Sequence, residues 1–346
     1  MAGEATAPLV LLAAPASGNI GLGHVARLSA LGTALRAGGA QTLFVTSAEE
    51  PRVHAFITQG GAELGPVTPL DTHGLLDLAR DRNATRIAID SYTVTAETVR
   101  ALREAGISVL YVDDTGLSPS AEASVVVNPN FFGAELAYRL TPGAVLLAGP
   151  SYALMRAEFA LARDASPPPR GDAMRVLVTL GGADPLGLLP RVIDALVEVD
   201  ASVAADVLVG AADPKLPLAR EVVKKLPAAT LTVSATDMAA RILRADAIIT
   251  AAGSTCLEIA CIGRPALAIA VAENQVPVAD FLERGGLMSV ISGTGSVPDL
   301  VRAIRSLLGG VASAESSARI SSQRRLVDGG GASRVAAAWL GLGRSR

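Results

Sequence analysis

The feature that most constrains the fold is the alternation of short apolar runs with amphipathic stretches along the whole chain. Such alternation is typical of repeated strand–helix–strand units, whose strands pair in parallel sheets that helices cover. A chain of 346 residues is longer than one hydrophobic core usually grows, so two domains are expected. We therefore predict an α/β protein with two Rossmann-like domains.

The apolar runs fall into two sets, separated by a polar, proline-rich segment at 164–172 that is incompatible with a helix. The first set predicts strands at 10–12, 42–45, 87–90, 109–113, 125–128 and 145–148, and helices near 25–36, 49–59, 95–104 and 152–163. The second set predicts strands at 175–180, 206–209, 231–233, 247–250, 266–270 and 288–291. We place the domains at 1–165 and 166–346, with the last helix free to pack back on the first domain. Ligands of such sheets bind beyond the carboxyl ends of the strands, so the active site is expected in a cleft between the domains.

Composition excludes several classes of partner. A formal charge of −3 and an aromatic content of 3% give neither a basic surface nor stacking platforms for nucleic acid. Cys256 and Cys261 are too few for a zinc site and badly spaced for a disulfide, which indicates a reducing compartment. The opening residues read as a buried strand rather than a signal peptide, and no run is long enough to span a membrane. We expect a cytoplasmic protein, and the pattern requires nothing beyond a monomer.

His24 follows the first predicted strand and lies near the start of a helix. The helix dipole disfavours a positive imidazole there, so His24 is a candidate general base. The alternative is a histidine that only caps or packs the turn. Arg27, one helical turn later, could face the site or solvent.

Two further polar segments follow predicted strands of the first domain. Asp90 and Tyr92 come at the carboxyl end of one strand, where substrate contacts are expected, although an aspartate there often only caps the next helix. The pair Asp113 and Asp114 resembles a metal site, but without further ligands at metal spacing it is interpreted as a strand-end turn.

A Gly-Ser-Thr turn between a strand and a helix is the strongest local signal of the second domain. The amides of Gly253, Ser254 and Thr255 could receive a pyrophosphate at the helix start, and Glu258 could bridge ribose hydroxyls. The alternative is a capping box between Thr255 and Glu258. Gly182, in the glycine-rich turn after the first strand of this domain, is assigned to the same nucleotide site.

The polar segment after the predicted strand 266–270 could recognise a sugar. Asn274 and Gln275 place two side-chain amides where hydroxyl or acetamido groups would be bound, although on its own the segment is a polar loop. Gly23, directly before His24, is assigned to the sugar site as well.

These motifs occur together in an order that resembles a known family. They are Gly-x-Gly-His-x-x-Arg at 21–27, Asp-x-Tyr at 90–92, Gly-x-x-Tyr-Ala-Leu-Met-Arg-x-Glu-Phe at 149–159, Gly-Gly-Ala-Asp-Pro at 181–185, Ala-Ala-Gly-Ser-Thr with a glutamate at 251–258, Glu-Asn-Gln at 273–275 and the segment 327–335. Over nearly the whole chain they resemble the UDP-sugar hydrolases of pseudaminic acid biosynthesis and the related spore-coat polysaccharide biosynthesis proteins.

The resemblance implies the GT-B fold of inverting glycosyltransferases and a UDP-sugar substrate. It implies that His24 activates water against the anomeric carbon, with Tyr92 beside the reacting centre. It further implies that the turn at 253–255 holds the diphosphate, that Glu258 binds the ribose and that Asn274 binds the sugar. Neither a metal nor another cofactor is implied.

One departure from the family pattern bears on the substrate. Family members that hydrolyse the diacetamido sugar usually carry Arg-x-Asp-x-Ser ahead of the glycine turn, whereas residues 14–18 read Ala-Pro-Ala-Ser-Gly here. Two charged residues near the sugar are therefore missing. The leading hypothesis is a hydrolase that releases UDP and an amino or acetamido sugar with inversion. An inverting glycosyltransferase and a catalytically silent nucleotide-sugar binder are the alternatives.

Overall fold

A computed structural model describes residues 7–16, 23–116, 118–169, 171–181, 184–200, 202–211 and 213–342. The chain divides into two compact units, Met1–Ala157 with Gly329–Arg346 and Glu158–Asp328. Among the described residues, no helix has both the length and the apolar character needed to cross a bilayer.

The strands are β1 Leu9–Ala14, β2 Gln41–Thr46, β3 Glu63–Leu64, β4 Arg86–Ile89, β5 Ser108–Val112, β6 Val125–Asn128, β7 Val145–Ala148, β8 Arg175–Thr179, β9 Ala204–Val209, β10 Thr230–Val233, β11 Ala247–Ala251, β12 Ala266–Ala270 and β13 Ser289–Ser292. The α-helices are α1 Gly23–Ala37, α2 Pro51–Gln59, α3 Thr72–Asp81, α4 Ala96–Glu104, α5 Ala157–Asp164, α6 Leu189–Val199, α7 Leu216–Val222, α8 Met238–Arg244, α9 Thr255–Ile262, α10 Val276–Arg284, α11 Val297–Gly310, α12 Ala314–Leu326 and α13 Gly331–Gly341.

The first unit contains a parallel sheet of seven strands in the order β3-β2-β1-β4-β5-β6-β7. Its strands are rich in Val, Ile, Leu and Ala because both faces are covered. Leu12 packs on one face with Leu28 of α1 and Trp339 of α13. Leu11 packs on the other face with residues of α3 and α4. The chain order reverses between β1 and β4, and such a reversal opens a crevice at the carboxyl ends of the strands.

The second unit contains a parallel sheet of six strands in the order β10-β9-β8-β11-β12-β13. Residues of α6, α7 and α11 build a core on one face, where Ile193, Val222 and Ile304 are buried. Here the chain order reverses between β8 and β11. The prediction of two Rossmann-like domains with parallel sheets is confirmed.

The structure differs from the sequence pattern between residues 150 and 164. A helix is predicted over 152–163, but a 3₁₀ turn at Pro150–Tyr152 is followed by nonhelical chain up to the start of α5. Ala153, Leu154 and Met155 are all buried. Three consecutive buried residues do not fit the single apolar face of a surface helix.

The division into units also differs from the boundary expected after residue 165. The side chain of Phe159 in α5 is fully buried, and Arg163 Nη1 donates to the carbonyls of Cys261 (3.0 Å) and Val327 (2.9 Å). These contacts attach α5 to the second unit. At the other end of the chain, Trp339 is fully buried in the core of the first unit, so α13 lies there.

Candidate active site

His24 and Asp90 meet at the reversal of strand order in the first unit. His24 is the second residue of α1, as the sequence predicts, and Asp90 directly follows β4. Nδ1 of His24 lies 2.5 Å from Oδ1 of Asp90, and the two residues are 8% and 1% exposed. An ionised carboxylate only accepts hydrogen bonds, so Nδ1–H is the donor and Nε2 keeps a lone pair. The two residues are 66 positions apart in the sequence, so this hydrogen bond is a long-range contact and not a local cap of the turn.

Arg27 lies one turn after His24 and points into the same cluster. Its Nε and Nη2 donate to Asp90 at 2.8 and 2.9 Å, and its Nη1 and Nη2 donate to Asp114 at 2.7 and 3.1 Å. Burial disfavours the charged guanidinium, but the two carboxylates outweigh burial and raise the pKa of Arg27. Of the two orientations considered from the sequence, the side chain takes the one toward His24 and its neighbours rather than the one toward solvent.

Asp114 connects Arg27 to Tyr92 and Asn130. The Tyr92 hydroxyl donates to Oδ2 of Asp114 at 2.6 Å, and Asn130 Nδ2 donates to Oδ1 at 2.9 Å. Burial alone would raise the pKa of Asp114, but Arg27 and these hydrogen bonds lower it to about 2. Asp114 is therefore ionised at neutral pH.

Tyr92 lies beside the histidine and is protonated at neutral pH. Partial burial of the phenol, together with the hydrogen-bonded Asp114 carboxylate, raises its pKa, although most of the residue's surface is open. The Tyr92 and His24 rings form a T-shaped pair, with centroids 4.8 Å apart and an interplanar angle of 81°. Tyr92 is 68% exposed, so its ring remains accessible to a ligand.

Three members of this cluster were not assigned to a site from the sequence: Arg27, Asp114 and Asn130. Asp113 does form the predicted strand-end turn, because its carboxylate accepts from the amides of Thr115 and Gly116. Its neighbour Asp114 instead turns toward Arg27. The available signals were the three-residue spacing of His24 and Arg27 on one helix and the acidic residues after two adjacent strands.

The loop before α1 is described only in part. Gly23 is the exposed first residue of α1, and a Cβ placed there would have no neighbour within 4 Å. Its predicted sugar-binding role thus has no steric requirement for glycine. Residues 17–22 lie outside the described residues, but Ala14 and Ala16, at positions where the family carries charges, are both buried.

The predicted nucleotide turn occupies the carboxyl edge of the second sheet, next to the reversal of strand order. The amide of Ala252 donates to Ile269 O and that of Gly253 to Ala251 O, whereas within the described chain those of Ser254 and Thr255 donate to no backbone carbonyl. Two neighbouring amides thus lie at the start of α9, where the N-terminus of a helix attracts an anion. Gly182 lies outside the described residues, and Gly181 before it has a φ of +90°.

The start of α9 differs from the one that the capping box of Thr255 and Glu258 would need. The helix α9 begins at Thr255, so Ser254 is the residue at the cap position, and its side chain makes no capping hydrogen bond. A capping box would require the acidic residue at position 257, one residue before Glu258. Glu258 lies in the first turn of α9, where it is partly exposed.

Gln275 brings the segment after β12 next to this turn. The residues Glu273–Gln275 form a 3₁₀ turn in which Gln275 Oε1 accepts from the amide of Val271 at 3.0 Å. Its Nε2 lies 3.9 Å from the position a Cβ of Gly253 would take. Asn274 is exposed in the same turn. The predicted nucleotide and sugar residues of this unit thus share one edge of the sheet.

A cavity of about 460 Å³ lies elsewhere in the second unit, between α6 and α11 beyond β13. Its lining includes Leu188, Ile291 and Ala303 and none of the predicted site residues. Across the ranges that the structure describes, no three His, Cys, Asp or Glu side chains are grouped as metal ligands.

Two parallel α/β units of this kind define the GT-B fold of glycosyltransferases. The structure of MurG from Acinetobacter baumannii matches with a TM-score of 0.68 at 17% identity, over 96% of this chain and 99% of that one. The spinosyn rhamnosyltransferase SpnG complexed with thymidine diphosphate matches with a TM-score of 0.64 at 16% identity, over 98% and 100% of the two chains. At these identities the matches show the fold.

A sequence relative connects the chain to polysaccharide biosynthesis proteins. The spore coat polysaccharide biosynthesis protein SpsG of Bacillus subtilis (strain 168) is 25% identical over 285 residues, which cover 81% of this chain and 82% of the relative. No family model matches the chain. The chain thus resembles the spore-coat polysaccharide biosynthesis proteins and has the GT-B fold, as the motifs predicted.

Proposed function

We propose that the protein is a nucleotide-sugar hydrolase in which His24 activates water. The observation that carries the proposal is the 2.5 Å hydrogen bond between His24 and the buried Asp90. Asp90 fixes the ring with Nδ1–H toward the carboxylate, so Nε2 can accept a proton from water. The hydroxide that develops attacks the anomeric carbon opposite the departing diphosphate, which inverts the configuration. Asp90 then stabilises the imidazolium.

The second unit supplies the nucleotide site in this proposal. The amides of Ser254 and Thr255 at the start of α9 stabilise the charge that develops on the diphosphate, so the scheme needs no metal. Glu258 accepts from the ribose hydroxyls, while Asn274 and Gln275 bind the sugar. The thymidine diphosphate complex of SpnG supports a nucleoside diphosphate as ligand of this fold. The motif resemblance favours uridine and a role in polysaccharide or pseudaminic acid biosynthesis, and the two free cysteines favour a cytoplasmic protein.

A glycosyltransferase remains the second candidate for two specific reasons. Buried Ala14 and Ala16 replace the charged residues that the hydrolase pattern carries near the sugar. The fold also matches that of SpnG, which is named as a rhamnosyltransferase. In this alternative, Nε2 of His24 takes the proton of an acceptor hydroxyl instead of water.

Product analysis with and without acceptors distinguishes the candidates. Without any acceptor, we expect the protein to release UDP from a UDP-amino or UDP-acetamido sugar at catalytic turnover, as measured by chromatography. NMR spectra recorded early in the reaction should show a free sugar of inverted anomeric configuration. UDP release only when an acceptor is added would identify a transferase. UDP binding without turnover on any sugar would identify a binding protein.

We predict that Glu258→Ala weakens UDP binding about tenfold, or about 1.4 kcal/mol, because a charge-assisted hydrogen bond to the ribose is lost. Isothermal titration calorimetry measures the dissociation constant. The matched control is Glu198→Ala, which removes an exposed carboxylate from α6 of the same unit. Equal affinity of the wild type and the Glu258→Ala variant would remove Glu258 from the nucleotide site.

A further inference from the structure

We propose that Arg27 is a positioning residue whose single charge, divided between Asp90 and Asp114, keeps His24 neutral and ready to take a proton. The inference rests on the proposed role of His24 as base. It assigns functions to Arg27 and Asp114, which need not touch the substrate.

The charges around His24 determine how favourable its protonation is. Asp90 and Asp114 contribute two negative charges and Arg27 contributes one positive charge, so the cluster has a net charge of −1 while His24 is neutral. When His24 takes a proton the net charge becomes zero. Because Asp90 is 1% exposed, water screens this balance weakly.

The guanidinium of Arg27 lies close enough to His24 to oppose its protonation. Nη2 of Arg27 lies 3.2 Å from Nδ1 of His24, so its charge opposes that of an imidazolium. Asp90 has the opposite effect at 2.5 Å. The readiness of His24 to bind a proton therefore depends on how strongly Arg27 neutralises Asp90.

Asp114 controls this distribution. Its two oxygens accept four hydrogen bonds, two from Arg27, one from Tyr92 and one from Asn130. A carboxylate with about four acceptor positions is then saturated, so Asp114 is unsuited to act as a second base. Its task is to hold one side of the Arg27 fork and draw part of that charge away from Asp90.

Three further polar groups of the described chain lie near this cluster, and none of them changes in the variants proposed below. Tyr92, after β4, is protonated at neutral pH, and Asn130, after β6, is neutral. Asp113, after β5, is engaged by the amides of its own turn. The described end of the segment after β1, Pro15 and Ala16, carries no charge.

Opposite changes of charge must then shift the titration of His24 in opposite directions. Arg27→Met leaves two carboxylates uncompensated, so the midpoint of the His24 titration should rise by about one pH unit. Asp114→Asn removes a negative charge and frees Arg27 for Asp90, so the midpoint should fall by about one pH unit. Arg27→Lys keeps the charge and should bring the midpoint back toward that of the wild type.

An NMR titration of the imidazole signals in the full-length protein tests this without a substrate. The chain has 3 histidines, and the signal that disappears in His24→Asn identifies His24. The matched control is Arg36→Met, which removes another arginine of α1 that bonds to Thr42 and Thr33 and leaves the cluster intact. It should not move the midpoint.

The proposal requires the two opposite shifts. Shifts in one direction, or no shift in either variant, would overturn it, even if the protein proves to be a hydrolase. Conversely, opposite shifts in a protein that turns over no nucleotide sugar would uphold the charge balance and refute the proposed reaction. If Arg27→Met does not fold, the His24 midpoints of Asp114→Asn and Arg27→Lys are compared. A lower midpoint in Asp114→Asn than in Arg27→Lys supports the proposal, and equal midpoints overturn it. For the active enzyme, the acidic limb of the kcat/KM profile should move with the NMR midpoints.

Discussion

Replacement of His24 by asparagine is expected to reduce turnover of the nucleotide sugar by about 10²–10⁴-fold, the usual contribution of a general base. The asparagine amide can still donate to Asp90, as Nδ1–H of His24 does, so the cluster with Arg27 can stay intact. Nothing in the new side chain replaces the lone pair of Nε2. The loss should therefore appear in kcat, while the affinity for UDP stays within a few-fold of the wild type.

Steady-state kinetics and calorimetry on the same preparation measure both quantities. His73→Asn is the matched control, because His73 is exposed on α3 and lies in the same unit. It should leave turnover and affinity unchanged. Combined loss of turnover and UDP affinity in His24→Asn would instead indicate a structural histidine.

Replacement of Trp339 by alanine is expected to lower the free energy of unfolding by about 3–5 kcal/mol, the cost of deleting a large core side chain. The indole of α13 is fully buried, and its Nε1 donates to Ser108 Oγ at 2.9 Å. The change leaves a cavity in the core that β1 and α1 share with α13, and it removes the hydrogen bond to Ser108.

Urea unfolding followed by circular dichroism gives the stability difference. Leu342→Ala, at a position 48% exposed just after α13, is the control and should have little effect. Trp339→Phe keeps most of the packing and should fall between the two. Wild-type stability for Trp339→Ala would mean that α13 does not hold the first sheet in solution.

Much of the fold could be predicted because each parallel strand is a short, continuous apolar run. The predicted strands 125–128, 145–148 and 266–270 coincide with β6, β7 and β12. Both α3 and the two-residue edge strand β3 were missed. In α3, the buried positions Leu75, Leu78 and Ala79 follow helical spacing, and Asp71 accepts from the amide of Gly74 as a cap. The strand β3 is too short to leave a pattern.

The site could be predicted only where one local segment carries the signal. The position of His24 at the start of a helix and that of Asp90 after a strand are local properties. The orientation of Arg27 is not, because its partners are 63 and 87 positions away and become neighbours only when β1, β4 and β5 align. For the same reason the sequence could not separate Asp113, which bonds to its own turn, from Asp114, which bonds to Arg27.

The position of α13 has a consequence for synthesis of the protein. The first sheet uses residues 9–148, but the helix that covers Leu12 and Leu28 is made after the whole second unit. While the ribosome is still translating the second unit, the nascent first unit exposes this apolar face to solvent or to chaperones. Completion of the first unit thus awaits one of the last segments to emerge, and an isolated fragment 1–157 should be prone to aggregation.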